Sequence, residues 1–301
     1  LKAKLYLFEK LIKKNGNIIT DEKISEYNQI KKIASKKNLN LFSLLDKKNK
    51  FQFLSHQFED ESQLLRIKYN NSIYKIKLNL IGKVQLKNIQ MAIIAAIKSN
   101  ISIKDILKVI PRIKSVNGRF EKIGKIKNNS KVILDYAHTP DALKTCLKNL
   151  KEQFSGHKVS LVFGCGGNRD QNKRAKMGKI ADLYSDKIYL TDDNPRSEQP
   201  SKIRKDIKKG IKKQKVFEFT SRARAISKAI ENLNTGEILL VAGKGHETVQ
   251  EIGEKKIYFS DKKTILNSIK IKNITLSNNL KVNIINELSD EKKIPPKVSL
   301  K

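Results

Sequence analysis

Hydrophobic and polar residues follow one pattern up to about residue 113 and a different one after it. In residues 1–113, Leu64–Tyr69 and Ile73–Leu80 alternate apolar with polar positions and predict an antiparallel hairpin. Lys87–Lys98 and Ile103–Ile110 instead have apolar residues at helical spacing. The first part of the chain is therefore predicted to be a mixed α/β region.

After that point, predicted strands alternate regularly with predicted helices. The strands are Lys131–Asp135, Val159–Phe163, Lys187–Thr191, Lys215–Phe219 and Glu237–Ala242, and the helices are Asp141–Gln153, Arg174–Tyr184, Ser201–Lys213 and Arg222–Leu233. Such alternation predicts βαβ units and a mostly parallel sheet with helices on both faces. Ligands of these sheets bind at the carboxyl ends of the strands, so the loops that follow the strands are the candidate site.

The regular pattern stops after residue 268. Residues 269–301 are rich in Lys, Asn and Ser and contain Pro295-Pro296, which predicts a weakly ordered tail or linker. The sequence thus predicts three regions, comprising residues 1–113, 114–268 and 269–301.

The net charge of the chain suggests a second class of function. The 301 residues include 63 Lys and Arg against 30 Asp and Glu, a formal charge of +33, which by itself suggests a nucleic-acid-binding module. Only nine of the 63 are Arg, the Lys are spread along the chain and Trp is absent, so we expect no specific nucleic-acid partner. No apolar run approaches the ~20 residues of a membrane span, and no membrane insertion is expected. Two cysteines argue against a disulfide framework and suit a reducing compartment.

The loops after the first two strands of the regular part carry candidate ligand groups. Asp135 and His138 lie between a strand and a predicted helix N-terminus, where anions are favoured. The next loop begins with glycines at 164, 166 and 167, which would let the backbone approach a ligand, and continues with Arg169, Lys173 and Arg174. It is not a Walker loop, and that motif is absent from the sequence. Either loop alone would also fit an ordinary capped turn.

Two further loops add groups of both charges. The third strand leads into Asp193, Asn194, Pro195 and Arg196, where a guanidinium suits a carboxylate and an aspartate suits an ammonium group. After the fifth strand come glycines alternating with Lys244, His246 and Glu247. Four such loops at strand ends predict a site for a small charged ligand that resembles an amino acid or carries phosphate.

These loops resemble those of the Mur ligases, the ATP-dependent amide ligases that build the peptide of bacterial cell-wall precursors. The resemblance covers roughly residues 1–266 and rests on VNGRFE (116–121), DYAHTPDAL (135–143), FGCGGNRDQNKR (163–174), TDDNPRSE (191–198) and AGKGHE (242–247). It implies a carboxyl-terminal Rossmann-like domain, preceded by the remainder of an α/β central ATPase domain.

The DNPR loop further implies the diaminopimelate-adding branch of the family. The implied substrates are a UDP-N-acetylmuramoyl dipeptide and meso-diaminopimelate, the implied cofactors are ATP and Mg²⁺, and the implied location is the cytoplasm. The family's P-loop and metal ligands have no counterpart in this sequence, so we expect a fragment that contains no metal ligand and is inactive alone. A related ligase, such as one that adds glutamate to folate, is the alternative within the same superfamily.

The resemblance also assigns individual residues. The positions that match the family's diaminopimelate site are Arg169, Asp193, Asn194, Pro195, Arg196, Gly243 and Glu247. Arg169 and Arg196 would meet carboxylates, and Asp193 and Glu247 an ammonium group. The positions implied to lie near the nucleotide are Asn88, Arg119, Asp135 and His138. Upstream of Asn88 this chain has Val-Gln where the family has Phe-Asn.

Overall fold

The computed structural model describes residues 2–46, 50–213 and 216–291, and the chain divides into two compact units. The first comprises Leu1–Ser115 with Glu152–Phe154, and the second comprises Val116–Lys151 with Ser155–Lys301. Hydrophobic clusters form the core of each unit.

The first unit contains a three-stranded antiparallel sheet, a parallel strand pair and several helices. Its strands are β1 Asn17–Thr20, β2 Asn40–Ser43, β3 Phe51–Glu59, β4 Ser62–Tyr69 and β5 Ser72–Leu78, and its helices are α1 Lys2–Tyr6, α2 Tyr27–Lys36, α3 Val84–Lys98 and α4 Ile103–Val109, with a π-helical turn at Leu7–Leu11 and a 3₁₀ turn at Ile110–Arg112. Strands β4 and β5 are the predicted hairpin. The sequence pattern did not reveal β3, because a bulge between Phe53 and Ser55 interrupts the alternation and most of the strand is not buried.

The core of the first unit confirms the helical spacing of α3. This helix buries Leu86, Ile89 and Ile93 along one side, at the i, i+3 and i+7 positions that face a common neighbour. They belong to the same hydrophobic cluster as Leu65 and Ile67 of β4.

The second unit has a six-stranded sheet covered by helices. Its strands are β6 Glu121–Lys122, β7 Lys131–Asp135, β8 Val159–Phe163, β9 Lys187–Leu190, β10 Val216–Glu218, β11 Ile238–Ala242, β12 Val249–Ile252 and β13 Lys255–Tyr258, and its helices are α5 Pro140–Gln153, α6 Asn172–Tyr184, α7 Pro200–Lys208, α8 Arg222–Glu231 and α9 Asp261–Glu291. The strand order is β10-β9-β8-β11-β7-β6, and only the β6–β7 pair is antiparallel. Strands β12 and β13 form a separate antiparallel hairpin. The predicted α/β class with a mostly parallel sheet is confirmed.

The middle of this sheet is covered on both faces. Every residue of β7, β8 and β11 is buried, as expected for parallel strands written as continuous apolar runs. Because β11 lies between β7 and β8, the chain leaves β7 on one side and winds through β8, β9 and β10 on the other. From β10, near the edge of the sheet, the chain returns to β11 in its middle. The parallel strands end at the same edge of the sheet, and ligands of open α/β sheets bind at the carboxyl ends of the strands.

Helix α9 corrects the prediction of a weakly ordered segment from residue 269. The helix continues to Glu291, and its Ile265 and Ile269 are buried in the core of the second unit. The side chain of Asn273 accepts a hydrogen bond from Lys127 N (2.8 Å) and donates one to Lys125 O (2.9 Å). Ile265 and Ile269 are four residues apart, as expected for one face of a helix, but the Lys- and Asn-rich composition of this segment outweighed that spacing in the prediction.

Two sequence expectations reach beyond the described residues. Pro295-Pro296 lies outside them, as does Lys215, the first residue of a predicted strand that is seen from Val216 to Glu218. Of the helices in the described ranges, none combines the length and apolar composition needed to cross a membrane.

Candidate functional site

The loops at the carboxyl ends of β7, β8, β9 and β11 enclose a cleft of about 440 Å³ in the second unit. It is lined by Tyr136, His138, Thr139, Gly164, Cys165, Gly166, Arg169, Asp170, Lys173, Asp193, Asn194, Arg196, Gly243 and Glu247. The lining includes Arg169, Asp193, Asn194, Arg196, Gly243 and Glu247 among the residues predicted for the amino-acid site. Pro195 does not line the cleft.

Two of the glycines after β8, Gly164 and Gly167, allow close packing between loops. A Cβ atom at Gly164 would lie 2.2 Å from Thr191 O, and one at Gly167 would lie 1.9 Å from Pro195 O. Gly167 N also donates a hydrogen bond to Asn194 O (2.9 Å). The missing side chains thus let the loop after β8 pack directly against the loop after β9, which fixes the distance between the two walls of the cleft.

Asn194 connects three segments at the floor of the site. Its Oδ1 accepts hydrogen bonds from Lys244 Nζ (2.8 Å) and Glu251 N (3.1 Å), and its Nδ2 donates to Glu247 Oε2 (3.2 Å). Its side-chain amide is therefore committed to protein groups. Asn194 sets the shape of the floor through these contacts.

Lys244 is fully buried, and its ammonium group is satisfied within the protein. Nζ donates to Asn194 Oδ1, Glu247 Oε2 (2.9 Å) and Val249 O (2.7 Å), which uses all three of its protons. Burial alone would raise the pKa of Glu247, but the hydrogen bond and charge of Lys244 lower that pKa below its ordinary value. Because its pKa is lowered, Glu247 is a carboxylate at neutral pH. Burial, followed by the charge of Glu247, raises the pKa of the Tyr136 phenol.

Arg196 is held by both its backbone and its side chain. Its φ of +51° is uncommon for a residue with a side chain, and its N donates to Glu251 O (3.1 Å). Nη1 donates to Gly167 O (2.9 Å), and Nε lies 2.7 Å from Glu251 Oε2. Sequence reasoning missed Glu251, because only the β12–β13 hairpin brings it to Arg196.

Asp193 lies between the cleft and a buried arginine. Its Oδ1 accepts a hydrogen bond from Asn194 N (2.8 Å), and its Oδ2 lies 4.0 Å from Arg222 Nη1. Arg222 is fully buried and donates to both oxygens of Asp261 at 2.8 Å. Gly243, at φ +118°, would place a Cβ 2.8 Å from Asp193 Oδ2, so glycine leaves room for that carboxylate.

The cations after β8 have distinct environments. Arg169 is exposed and lines the cleft. Lys173 also lines it, and its Nζ donates to His138 O (2.8 Å). Arg174 is fully buried and donates to both oxygens of Glu198 (2.9 and 2.8 Å) and to Asp206 (3.2 Å). Arg174 therefore links α6 to Glu198 in the loop after β9 and to Asp206 on α7, and it does not face the cleft.

The carboxylate of Asp135 binds backbone N–H groups of two neighbouring segments. Its Oδ2 accepts from Phe120 N and its Oδ1 from Ala137 N, each at 2.7 Å, and the residue is buried. Phe120 has a φ of +48°, so the Asp135 carboxylate supports an unusual backbone turn. Both oxygens are committed to the loops around the site.

The other positions implied to lie near the nucleotide are spread over both units. His138 lines the cleft, and its ring centroid is 4.7 Å from that of Tyr136. The Arg119 guanidinium lies 4.7 Å from the same tyrosine ring centroid, a cation–π distance. Asn88 lies on α3 of the first unit and donates to Gln85 Oε1 (3.2 Å).

The site offers neither a reactive thiol nor a metal-binding cluster in the described part of the chain. Cys165 is buried with its Sγ 3.6 Å from Met177 Sδ, and burial raises the pKa of its thiol to about 12, as expected for a packing residue. Among residues 2–46, 50–213 and 216–291, no group of three His, Cys, Asp or Glu side chains is arranged to hold a metal ion.

Comparison with known proteins finds one matching family model and several named relatives. Residues 118–245 match the family model described as Mur ligase, glutamate ligase domain. The chain is 38% identical over 272 residues to UDP-N-acetylmuramoyl-L-alanyl-D-glutamate–2,6-diaminopimelate ligase of Rickettsia montanensis, covering 90% of this chain and 56% of the relative. It is 45% identical over 197 residues to the protein of the same name from Fusobacterium nucleatum, covering 65% of this chain and 40% of that one. The chain thus spans about half the length of the curated relatives it matches.

Solved structures show the same fold. A structure of UDP-N-acetylmuramoyl-L-alanyl-D-glutamate–2,6-diaminopimelate ligase aligns with a TM-score of 0.62 at 28% identity, over 90% of this chain and 56% of that one. Folylpolyglutamate synthase from Thermotoga maritima aligns with a TM-score of 0.60 at 23% identity, over 77% of this chain and 52% of that one. At that identity, the second alignment concerns the fold alone.

Proposed function

We propose that this chain, which carries a Mur ligase glutamate ligase domain, supplies the amino-acid pocket of an ATP-dependent ligase. The proposed reaction joins meso-2,6-diaminopimelate to UDP-N-acetylmuramoyl-L-alanyl-D-glutamate in peptidoglycan precursor synthesis. Support comes from the relatives at 38% and 45% identity, which bear that name, and from the charges in the cleft of the second unit.

The observation that carries the proposal is the presence of opposite charges on facing loops of one cleft. Diaminopimelate has a carboxylate and an ammonium group at each end, so its pocket needs cations and anions at two places. We assign Arg169 and Arg196 to the carboxylates, and Asp193 and Glu247 to an ammonium group. The lowered pKa of Glu247 keeps it ionised for that contact.

Arg196 would discriminate diaminopimelate from lysine. Lysine lacks the second carboxylate, so it would leave guanidinium donors of Arg196 in a ligand-filled cleft without a partner. A lost hydrogen bond to a charged group costs about 1.5–3 kcal/mol, or about 10- to 150-fold in affinity. Glutamate has one ammonium group, and its chain is two carbons shorter than that of diaminopimelate, so we expect it to bind this cleft more weakly.

The proposed chemistry proceeds through an acyl phosphate. The γ-carboxylate of the D-glutamyl residue takes the γ-phosphoryl group of ATP, and ADP leaves. The amine of diaminopimelate, after losing its ammonium proton, attacks the carbonyl carbon; phosphate then leaves and a second proton is lost as the amide forms. This chain's task is to hold the amine in line with that carbon and to exclude lysine. The described residues contain no cluster suited to Mg²⁺, so we assign no metal ligand here.

Few residues of this chain are proposed to contact the nucleotide. Because the sequence has no Walker motif, we propose that ATP and Mg²⁺ are held mainly by elements outside this sequence. Arg119 and His138 present side chains beside Tyr136 and remain candidates for nucleotide contact, as does Asn88 in the first unit. Asp135 would act by supporting the Phe120 backbone. A reaction that consumes ATP and a UDP-linked precursor would take place in the cytoplasm.

Calorimetric titration at moderate salt tests the proposal. We expect the wild-type chain to bind meso-diaminopimelate at least about 10-fold more tightly than L-lysine or L-glutamate. Arg196→Lys keeps the charge but loses the planar fork, so most of this preference should disappear. Arg224→Lys, on the exposed side of α8, is the matched control.

The outcomes separate the alternatives. Equal affinity for diaminopimelate and lysine would contradict the proposal. Preference for L-glutamate would favour a related glutamate-adding ligase. Duplex DNA binding that falls steeply with salt, together with no response to any amino acid, would favour a basic nucleic-acid-binding module.

A further inference from the structure

The ion pair between Arg196 and Glu251 lies at the boundary between two clefts. The first is the 440 Å³ cleft described above, and the second, of about 410 Å³, lies along the β12–β13 hairpin. Arg196 lines both clefts, whereas Glu251 lines only the second. The Glu251 carboxylate therefore reaches Arg196 from the side opposite the proposed ligand.

Backbone contacts hold the two residues in register. Arg196 N donates to Glu251 O (3.1 Å), and Gly253 N donates to Arg196 O (2.7 Å), forming an isolated bridge between the loop after β9 and the hairpin. Gln250 Nε2 also donates to Asp193 O (2.6 Å). The hairpin is thus bonded to the loop after β9 on both sides of Pro195. The main-chain contacts place the Glu251 side chain next to Arg196.

The contacts of the guanidinium leave donors for a ligand. Nε faces Glu251 Oε2 at 2.7 Å, and one proton of Nη1 goes to Gly167 O. Arginine has five N–H donors, and the second Nη1 proton and both Nη2 protons have no acceptor among residues 2–46, 50–213 and 216–291, so they are available to a planar acceptor such as a carboxylate. An arginine tethered at Nε and Nη1 loses little further rotamer freedom when that acceptor binds.

We propose that Glu251 is a specificity-determining positioning residue, which holds Arg196 from the second cleft so that its remaining donors meet the distal carboxylate of the amino acid. This inference rests on the proposed function, because it assumes an amino acid with a second carboxylate in the first cleft. It adds Glu251, one residue of the β12–β13 hairpin, to the recognition machinery. It also separates the residue that contacts the ligand from the residue that orients this contact.

Substitutions at Glu251 test the inference in the full 301-residue chain. We expect Glu251→Gln to raise the Kd for meso-diaminopimelate about 3- to 10-fold, and Glu251→Ala to raise it further, because the amide still offers an oxygen to Nε. The Kd for L-lysine should change less than about twofold, since lysine does not use these donors. Glu254→Gln is the matched control, because Glu254 is an exposed carboxylate on the same hairpin and its loss changes the net charge equally.

A double-mutant cycle with Arg196→Ala shows whether Glu251 acts through Arg196. In that background Glu251→Gln should leave diaminopimelate affinity unchanged, whereas a general effect on folding would persist. Thermal midpoints of all variants provide the second readout, and the single variants at 251 should stay within a few degrees of wild type.

Each result bears on the inference in a defined way. Unchanged or tighter diaminopimelate binding in Glu251→Gln would overturn it while leaving the proposed function intact, and tighter binding would mean that Glu251 competes with the ligand. Equal losses for diaminopimelate and lysine, or the same loss in Glu254→Gln, would also overturn it. If the wild-type chain fails to prefer diaminopimelate, the proposed function fails, and this inference fails with it.

Discussion

Replacing Lys244 with methionine removes the cation beneath the cleft while nearly keeping the volume of the side chain. Lys244 is fully buried, and all three ammonium protons are donated to the protein. After the substitution, Glu247 loses the ammonium group that lies 2.9 Å from its Oε2, and the carbonyl of Val249 loses a donor. Asn194 Oδ1 keeps its bond from Glu251 N.

The magnitude follows from burial. Removing one member of a buried ion pair typically costs about 3–5 kcal/mol. The Glu247 side chain is 31% exposed, so water partly replaces the lost partner. We therefore expect Lys244→Met to lower the free energy of unfolding by about 2–4 kcal/mol at neutral pH.

The loss should depend on pH with a predictable sign. In the wild type, Lys244 holds the pKa of Glu247 below its ordinary value, so the pair's stability is present above the unfolded pKa and is lost as pH falls through the folded one. Lys244→Met should raise the pKa of Glu247. The stability gap between the two proteins should therefore narrow as pH falls from about 5 to about 3.

Urea unfolding monitored by circular dichroism measures this gap. Lys255→Met, on the exposed face of β13, is the control and should change stability by less than about 0.5 kcal/mol. Adding Glu247→Gln to Lys244→Met should restore about 1 kcal/mol or more, because no unpaired carboxylate then remains. A loss below about 1 kcal/mol in Lys244→Met, or no recovery in the double variant, would refute the reasoning.

Three other perturbations test separate features. Gly167→Ala would bring a Cβ to 1.9 Å from Pro195 O, so we expect a loss of about 1–3 kcal/mol and weaker diaminopimelate binding; an unchanged urea midpoint would contradict this packing. The hydrogen bond from Arg174 lowers the pKa of Glu198, so the stability from this pair is lost as pH falls below about 4. Glu198→Gln should flatten that part of the stability–pH curve, and an identical curve would argue against the pair. Both thiols are buried, and the pKa of Cys165 is raised to about 12, so a thiol reagent should label the chain only after unfolding. Rapid labelling of the folded chain would show that this burial is wrong.

Local patterns predicted much of the second unit. The strands β7, β8 and β11 are apolar throughout because helices cover both sides of them, and this makes their positions readable from consecutive residues. Where an element is exposed or irregular, the same method failed. The strand β3 was missed because a bulge interrupts its alternation and most of it is not buried. The Lys-rich helix α9 was missed because the core it packs into is formed by residues far away in the sequence.

The sequence also predicted which residues line the cleft, but it did not predict the role of each one. Loops at strand ends converge in any parallel sheet, so Arg169, Asp193 and Glu247 could be expected to meet. Charge alone could not distinguish Lys244 and Arg174, which are buried and bonded to other parts of the protein, from Arg169, which is exposed. That difference depends on which loop packs against which.

The sequence by itself therefore determined the alternation of buried strands and helices in the second unit, the edge of the sheet where ligand groups gather, and the family motifs, because these depend on residue type and on spacing along the chain. Only the tertiary structure decided which charges face the cleft and which are neutralised inside the protein. Ion pairs such as Arg196 with Glu251 depend on distances between segments that the backbone brings together. Those distances follow from glycine contacts and hairpin geometry, which local periodicity does not encode.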